Sequence, residues 1–221
     1  MRVRLVLAFA VLAAFATEAA AQDEHRRRLA ADLVVMAGDA RLLDAAVAPP
    51  LRVDGLRARL AGALASLPLL MRRAGGDPDP VPALRDALVR RDWRSLRAGL
   101  RALQDAHPFD ARALLPAGAT PAQLRVGEAL HRQACAGCHD APPADTRLPA
   151  LNLYAEAKRM PREEFAARLL LGVRGDRSTA YRNPFSDLEL AALIAAYEHG
   201  EPAAVAAPRA PADAGQRTRG P

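Results

Sequence analysis

The chain has 221 residues, of which 51% are hydrophobic, and its formal net charge is +6. Its basic residues are almost all arginine, with Lys158 the only lysine, and alanine is abundant. We interpret this composition as a coding bias, so the positive charge does not indicate a nucleic-acid partner. The length allows one or two domains.

The N-terminus has the three parts of a secretory signal peptide. Residues 1–4 are basic, residues 5–16 are apolar, and residues 19–21 are three alanines. This order is typical of a signal that is removed after export, which here leaves Gln22 as the new N-terminus. An uncleaved membrane anchor is the alternative, but the apolar run is shorter than the roughly 20 residues that a spanning helix needs. No later segment is long and apolar enough to cross a bilayer, so we expect no stable membrane span after cleavage.

Residues 22–118 are predicted to form a small antiparallel bundle of four helices. Apolar residues recur there at the spacing of one helix face, and prolines or short polar joints separate the four runs. The apolar positions are Leu29, Leu33, Met36, Ala40, Leu43, Val47, Leu56, Leu60, Ala63, Leu67, Leu84, Leu88, Trp93, Leu96, Leu100 and Leu103. A bundle would bury these stripes against one another. No motif in this half indicates a chemical role.

The residues from Cys135 to His139 read C-x-x-C-H, the sequence at which haem is attached covalently. Two thiols three positions apart lie on one turn and can add to the two vinyl groups of one porphyrin. His139 follows where its ring can reach the iron, and Gly137 has no side chain where the porphyrin comes close. The motif predicts one covalent haem c, held by Cys135 and Cys138, with His139 as the proximal iron ligand.

The same residues have two other interpretations. A C-x-x-C sequence also occurs in redox dithiols and in zinc sites. A zinc site needs further cysteines or well-spaced histidines, and the chain has only two cysteines. A dithiol of the thioredoxin kind belongs in a βαβ unit, and no strand is predicted. We therefore favour haem attachment, which uses both cysteines and leaves none for a structural disulfide.

Residues 120–200 resemble the class I cytochrome c domains of bacteria. Gly127 stands eight positions before Cys135, where the family has a glycine that lets its first helix cross its last helix closely. The predicted last helix, residues 187–199, carries Tyr197 in a stretch similar to the family's closing helix, where an aromatic residue packs near the first helix. Haem is attached to such proteins outside the bacterial inner membrane, so the resemblance and the signal peptide together indicate the periplasm.

The apolar spacing and the resemblance together predict an all-α protein, in which the N-terminal helical bundle is followed by a small class I cytochrome c-like haem domain. The haem domain is expected at residues 119–200, after a joint near residues 116–121, and the Ala- and Pro-rich residues 201–221 are expected to be a disordered tail. The resemblance also implies that the carbonyl of Pro149 accepts a hydrogen bond from Nδ1 of His139. Such a bond orients the ring and strengthens the nitrogen that faces the iron.

Two positions depart from the family. Four residues after Gly127, where an aromatic residue is usual, the chain has His131. A polar residue at a helix crossing needs a partner, and we expect His131 to be a neighbour of the haem site or a surface residue rather than a ligand. Six positions before Ser186, the family's methionine is replaced by Ala180, which Tyr181 follows.

The sixth iron ligand therefore has three interpretations. Met160, the only methionine after the motif, can supply a sulfur atom, although it is equally well explained as a core residue. Tyr181 or a water can occupy the position, or it can be empty. A more distant donor is the third choice: His131, His199, Lys158 or a methionine of the N-terminal half.

Two functions follow from these interpretations. The first is a periplasmic electron carrier, or the electron-transfer subunit of an oxidoreductase, whose partner is another redox protein. It is not itself an enzyme, and we assign no catalytic residue. The second is a haem protein that binds oxygen, nitric oxide, carbon monoxide or peroxide at an open or weakly ligated iron, as a sensor or a peroxidase-like enzyme. We favour the first, because the motif and a compact haem domain suffice for it.

Overall fold

In the computed structural model, every regular element among the described residues is a helix. The structure describes residues 2–46, 48–115, 117–140, 142, 145–172 and 184–200, with side chains from residue 22 onward. Within these ranges there is no strand, which confirms the all-α class. The predicted tail lies outside the described residues.

Nine helices follow one another in this part of the chain. They are α1 (Arg2–Ala45), α2 (Pro50–Arg73), α3 (Val81–Arg90), α4 (Trp93–Ala106), α5 (Pro121–Ala134), α6 (Ala136–His139), α7 (Leu153–Arg159), α8 (Arg162–Leu171) and α9 (Asp187–His199). The first four belong to the N-terminal half, and the other five belong to the half that carries the C-x-x-C-H motif.

The segment predicted as a signal peptide lies at the start of α1. Its residues 2–21 continue without a break into the part of α1 that packs on the bundle. Among the described residues, no helix is both long and apolar enough to cross a membrane. Cleavage before Gln22 stays a prediction.

Helices α1 to α4 pack around an aliphatic core, as the apolar spacing predicts. Helix α1 contacts α2 and α4, and α3 contacts the same two helices. The predicted stripes are buried from Leu29 to Leu103, with Ala63 and Trp93 partly buried, whereas Val47 lies outside the described residues. The four predicted helices and their buried faces are therefore confirmed.

A second core lies between α5, α7, α8 and α9 and contains more aromatic side chains. Tyr154, Phe165 and Tyr197 are at most 3% exposed there. Leu114, which precedes the predicted joint, is also fully buried in this core. The end of the N-terminal half thus contributes to the packing of the second half.

Gly127 allows α5 to cross α9 with the two backbones in contact. A Cβ atom added at Gly127 would lie 2.1 Å from the carbonyl oxygen of Ala192, so any larger residue would push the helices apart. The close crossing predicted from the resemblance is confirmed at this residue.

Both crossing helices begin at a capping box. Thr120 accepts from the N–H of Gln123 at the start of α5, and the Gln123 side chain accepts from the N–H of Thr120 in return. Ser186 and Glu189 make the same pair of bonds at the start of α9. Each box satisfies backbone N–H groups that have no partner within the helix.

Five charged side chains, which we call the ionic cluster, tie α1 and α2 to α8. Asp39 accepts from Nε of Arg59 at 2.6 Å and from Arg168 at 2.8 Å. Glu164 accepts from Arg168 at 2.8 Å and from Arg41 at 2.9 Å. Asp39 and Glu164 are only 1% and 5% exposed, so the guanidinium groups replace the water that these carboxylates lose on folding. The two halves are packed on each other here, and their separate folding stays a prediction.

Candidate haem-attachment site

The C-x-x-C-H motif forms a single helical turn at the end of α5. The N–H of Cys135 donates to the carbonyl of His131 at 2.9 Å, which continues α5 to the first cysteine. The N–H groups of Cys138 and His139 both donate to the carbonyl of Cys135, at 3.1 and 3.0 Å. The two thiols and the imidazole therefore leave the backbone within one ordered turn.

The two thiols lie in different environments. Cys135 is half-buried and packs against the second core. Burial raises the pKa of the Cys135 thiol above its ordinary value. Cys138 is exposed. Both thiols are free in the structure, as covalent attachment of a porphyrin requires.

The ring of His139 is oriented by a backbone carbonyl. Its Nδ1 lies 2.6 Å from the carbonyl oxygen of Leu151. Because a carbonyl only accepts, Nδ1 carries the hydrogen, and the lone pair of the neutral ring is on Nε2. The nitrogen that a metal would bind is therefore the one left without a partner in this bond.

The predicted acceptor for His139 was Pro149, and the structure has Leu151 in its place. The carbonyl of Pro149 instead accepts from the guanidinium of Arg52 on α2, at 3.1 Å. The side chain of Asn152 caps α7 by accepting from the N–H of Ala155, which anchors the chain directly after Leu151. A carbonyl two residues later than expected thus meets the imidazole.

An open and partly apolar surface adjoins the motif. A Cβ atom placed on Gly137 would meet no atom of the described residues within 4 Å. Leu148 and Leu151, in the segment that supplies the acceptor for His139, are each 39% exposed. Exposed apolar side chains in the segment that contacts His139 are suited to an apolar planar group, so the residues present fit a covalent haem.

The described residues include no group of three or more His, Cys, Asp and Glu side chains that could hold a metal ion. Haem iron takes only one or two ligands from the protein, so a haem site needs no such group. His139 alone would serve as the proximal ligand.

Two candidates for the sixth ligand lie after the motif in the sequence. Met160 follows α7, and its partly buried side chain packs against the second core. Tyr181 lies outside the described residues. Met160 and Tyr181 therefore remain the two alternatives that the sequence predicts for the sixth ligand in this part of the chain.

The more distant donors are placed as follows. Met36 and Met71 are buried in the N-terminal core, 2% and 1% exposed. Lys158 and His199 line one shallow surface pocket. His131 is buried, with both ring nitrogens in hydrogen bonds, so it is not free to bind iron.

The partners of His131 are a finding that the sequence did not provide. Nδ1 of His131 lies 3.0 Å from the hydroxyl of Tyr197, and Nε2 lies 2.8 Å from Oδ2 of Asp140. Tyr154 and Tyr197 stand edge-on to the imidazole, with ring centroids 5.2 and 5.4 Å away. The need for a partner was visible in the sequence, but Asp140 was missed. The only sequence feature that points to Asp140 is its position directly after the motif.

Comparison with known proteins identifies no family for this chain. No family model, curated protein or solved structure matches it. The resemblance to class I cytochrome c domains therefore rests on the residues named above.

Proposed function

We propose that the chain is a periplasmic monohaem c-type cytochrome that transfers electrons, as a carrier or as the electron-transfer subunit of an oxidoreductase. One observation carries the proposal: two free thiols and an imidazole share one turn, and a backbone carbonyl already holds Nδ1 of that imidazole. A redox dithiol has no need of the histidine, and a haem protein needs all three side chains.

Each of these residues has a separate role in the proposal. Cys135 and Cys138 hold the porphyrin through thioether bonds, and Nε2 of His139 is the axial ligand. The carbonyl of Leu151 fixes the ring plane and makes Nε2 a stronger donor. A haem c bound there supplies one-electron redox chemistry.

The fixed geometry of the turn supports electron transfer rather than catalysis. Cys135 is held by the backbone hydrogen bond that continues α5, and His139 is held by the carbonyl of Leu151. An electron carrier functions best when its ligands move little between oxidation states, and residues locked by hydrogen bonds meet that requirement. The export expected for residues 22 onward supports the periplasm.

A second function, binding of a small molecule at the iron, is favoured by the packing of Met160. Its side chain is partly buried against the second core and is therefore already accounted for as a packing residue. If the sixth position has no sulfur ligand, carbon monoxide should bind the ferrous protein readily. If Met160 is the ligand, the ferric protein should show the weak near-infrared sulfur–iron band, and Met160→Ala should abolish it.

Expression of the full chain together with the haem-attachment machinery tests the proposal. Mass spectrometry of the denatured protein should show one haem retained per chain, and the protein should be reduced and reoxidised reversibly in a redox titration. His139→Ala should change the optical spectrum of the haem because it removes the proximal ligand, whereas His107→Ala, at the end of α4, should leave the spectrum unchanged. Haem that extracts into acidic organic solvent would refute the proposal.

A further inference from the structure

His131 is hydrogen-bonded toward both ends of the C-x-x-C-H turn. A carboxylate accepts, so Nε2 donates to Oδ2 of Asp140, the residue directly after His139. Nδ1 of the neutral ring then accepts from the hydroxyl of Tyr197. The backbone carbonyl of His131 accepts from the N–H of Cys135 at 2.9 Å. His131 thus contacts the first residue of the motif through its backbone and the residue that follows the last one through its ring.

Water has little access to this chain of hydrogen bonds. His131 is 2% exposed, and Tyr197 is fully buried. Oδ1 of Asp140 is also buried and has no hydrogen-bond partner among the described residues, so the bond from His131 is the one that holds this carboxylate inward. Hydrogen bonds shielded in this way constrain the groups that they join more strongly than exposed ones do.

We propose that His131 is a positioning residue for haem attachment: with Asp140 and Tyr197 it holds the turn so that Cys135 and His139 face the same porphyrin. This inference rests on the proposed function. The family resemblance implies an aromatic residue at position 131, and phenylalanine there would fill a similar space and make neither bond.

Amide hydrogen exchange in the full chain without haem is the first test. In His131→Phe and in Asp140→Ala, the N–H groups of Cys138 and His139 should exchange about tenfold faster relative to those of α9, because a bond to a charged group is lost. Asp140→Asn keeps an acceptor for Nε2 and should restore the wild-type ratio. Tyr154→Phe, which alters the other tyrosine beside the same imidazole, is the matched control and should change nothing.

The α9 amides separate a local effect from a general loss of stability. A structural role alone would speed exchange in α9 and in the turn together. Asp140→Ala is the variant to rely on if His131→Phe does not fold, since the Asp140 side chain is 17% exposed. An unchanged ratio in both variants would overturn the inference.

Haem attachment in the same variants is the second test. We expect Asp140→Ala to raise the share of chains with a single thioether, seen as a shifted band of the reduced pyridine haemochrome, and Asp140→Asn to return it to the wild-type level. If Asp140→Ala and His131→Phe bind haem through two thioether bonds as the wild type does, the positioning role of His131 is refuted and the proposed function is unaffected. A wild-type chain that takes up no haem would instead defeat the proposed function.

Discussion

The two halves of the chain fill their cores with different kinds of side chain. The N-terminal core is almost entirely leucine, alanine and methionine, whereas the second core has two tyrosine rings against the buried His131 and a phenylalanine against one of them. An aliphatic core tolerates many arrangements of similar volume, but a core with buried polar atoms is satisfied only when each has its partner. The core that contains a buried imidazole to be satisfied is also the one beside the C-x-x-C-H turn.

Removal of the Asp39 carboxylate should lower the free energy of unfolding more than any other change considered, because Asp39 connects the two halves through the ionic cluster. In Asp39→Ala, Arg59 and Arg168 lose their shared carboxylate, and the free energy of unfolding should fall by about 3–5 kcal/mol. The Asp44–Arg97 pair also links α1 to another helix, but its side chains are 38% and 39% exposed, so Asp44→Ala should cost about 1 kcal/mol or less. Chemical denaturation of both variants measures the difference, and equal losses would mean that the cluster does not couple the halves.

Leu114→Ala tests whether the segment before the predicted joint packs with the second half of the chain. Leu114 is fully buried in the second core, and its truncation should cost about 2–5 kcal/mol. Leu115→Ala is the control, since that side chain is only partly buried and should cost less than half as much. The single tryptophan, Trp93, reports on the N-terminal core by fluorescence. A Trp93 transition that shifts fully with Leu114→Ala would show that the halves unfold together rather than as separate units.

A pair of glycine substitutions contrasts the helix contacts of the two halves. Gly127→Ala places a Cβ atom 2.1 Å from a backbone oxygen of α9 and should destabilise the protein by about 1–3 kcal/mol. Gly62→Ala, in the exposed middle of α2, meets nothing within 4 Å and should stabilise it by about 0.5–1 kcal/mol. Thermal unfolding distinguishes the two signs, and a neutral Gly127→Ala would mean that α5 and α9 do not cross closely.

The smallest effect concerns the capping boxes of α5 and α9. Hydrogen bonds from the backbone and side chain of Ser186 lower the pKa of Glu189 below its ordinary value of 4.5. A lowered pKa in the folded state gives stability that is present above about pH 4.5 and is lost as the pH falls below it. Glu189→Gln should therefore flatten the acid side of the stability profile slightly, and Gln123→Glu at the uncharged box of α5 should steepen it. Unfolding midpoints between pH 3 and pH 6 check both changes.

The sequence predicts most of what depends on near neighbours in the chain. Leucines spaced three or four apart predicted the four N-terminal helices, because burial of one helix face needs only that spacing. The predicted bounds of the last helix, residues 187–199, match those of α9. The motif turn is likewise a local structure, since its hydrogen bonds join residues three or four apart.

Contacts between distant residues could not be predicted in the same way. The ionic cluster pairs Asp39 with Arg168, 129 positions later, and no spacing rule joins two such residues. The acceptor for His139 depended on how one loop turns, which Arg52 and the cap of α7 decide together. A prediction of the two partners of His131 would have required the crossing angle of α5 and α9 as well as the path of the turn.

The crossing of α5 and α9 also sets an order of assembly for the motif. Tyr197 follows His131 by 66 residues, so its docking closes a long loop, and non-local closure is slower than the formation of a helix or a turn. The backbone hydrogen bonds of the turn join residues three or four apart, so they can form before α9 docks. The bond between His131 and Tyr197 forms only when α9 docks, and in the folded chain Cys135 is half-buried against the core that contains Tyr197. The docking of α9 is thus the step that completes the positioning of the C-x-x-C-H turn.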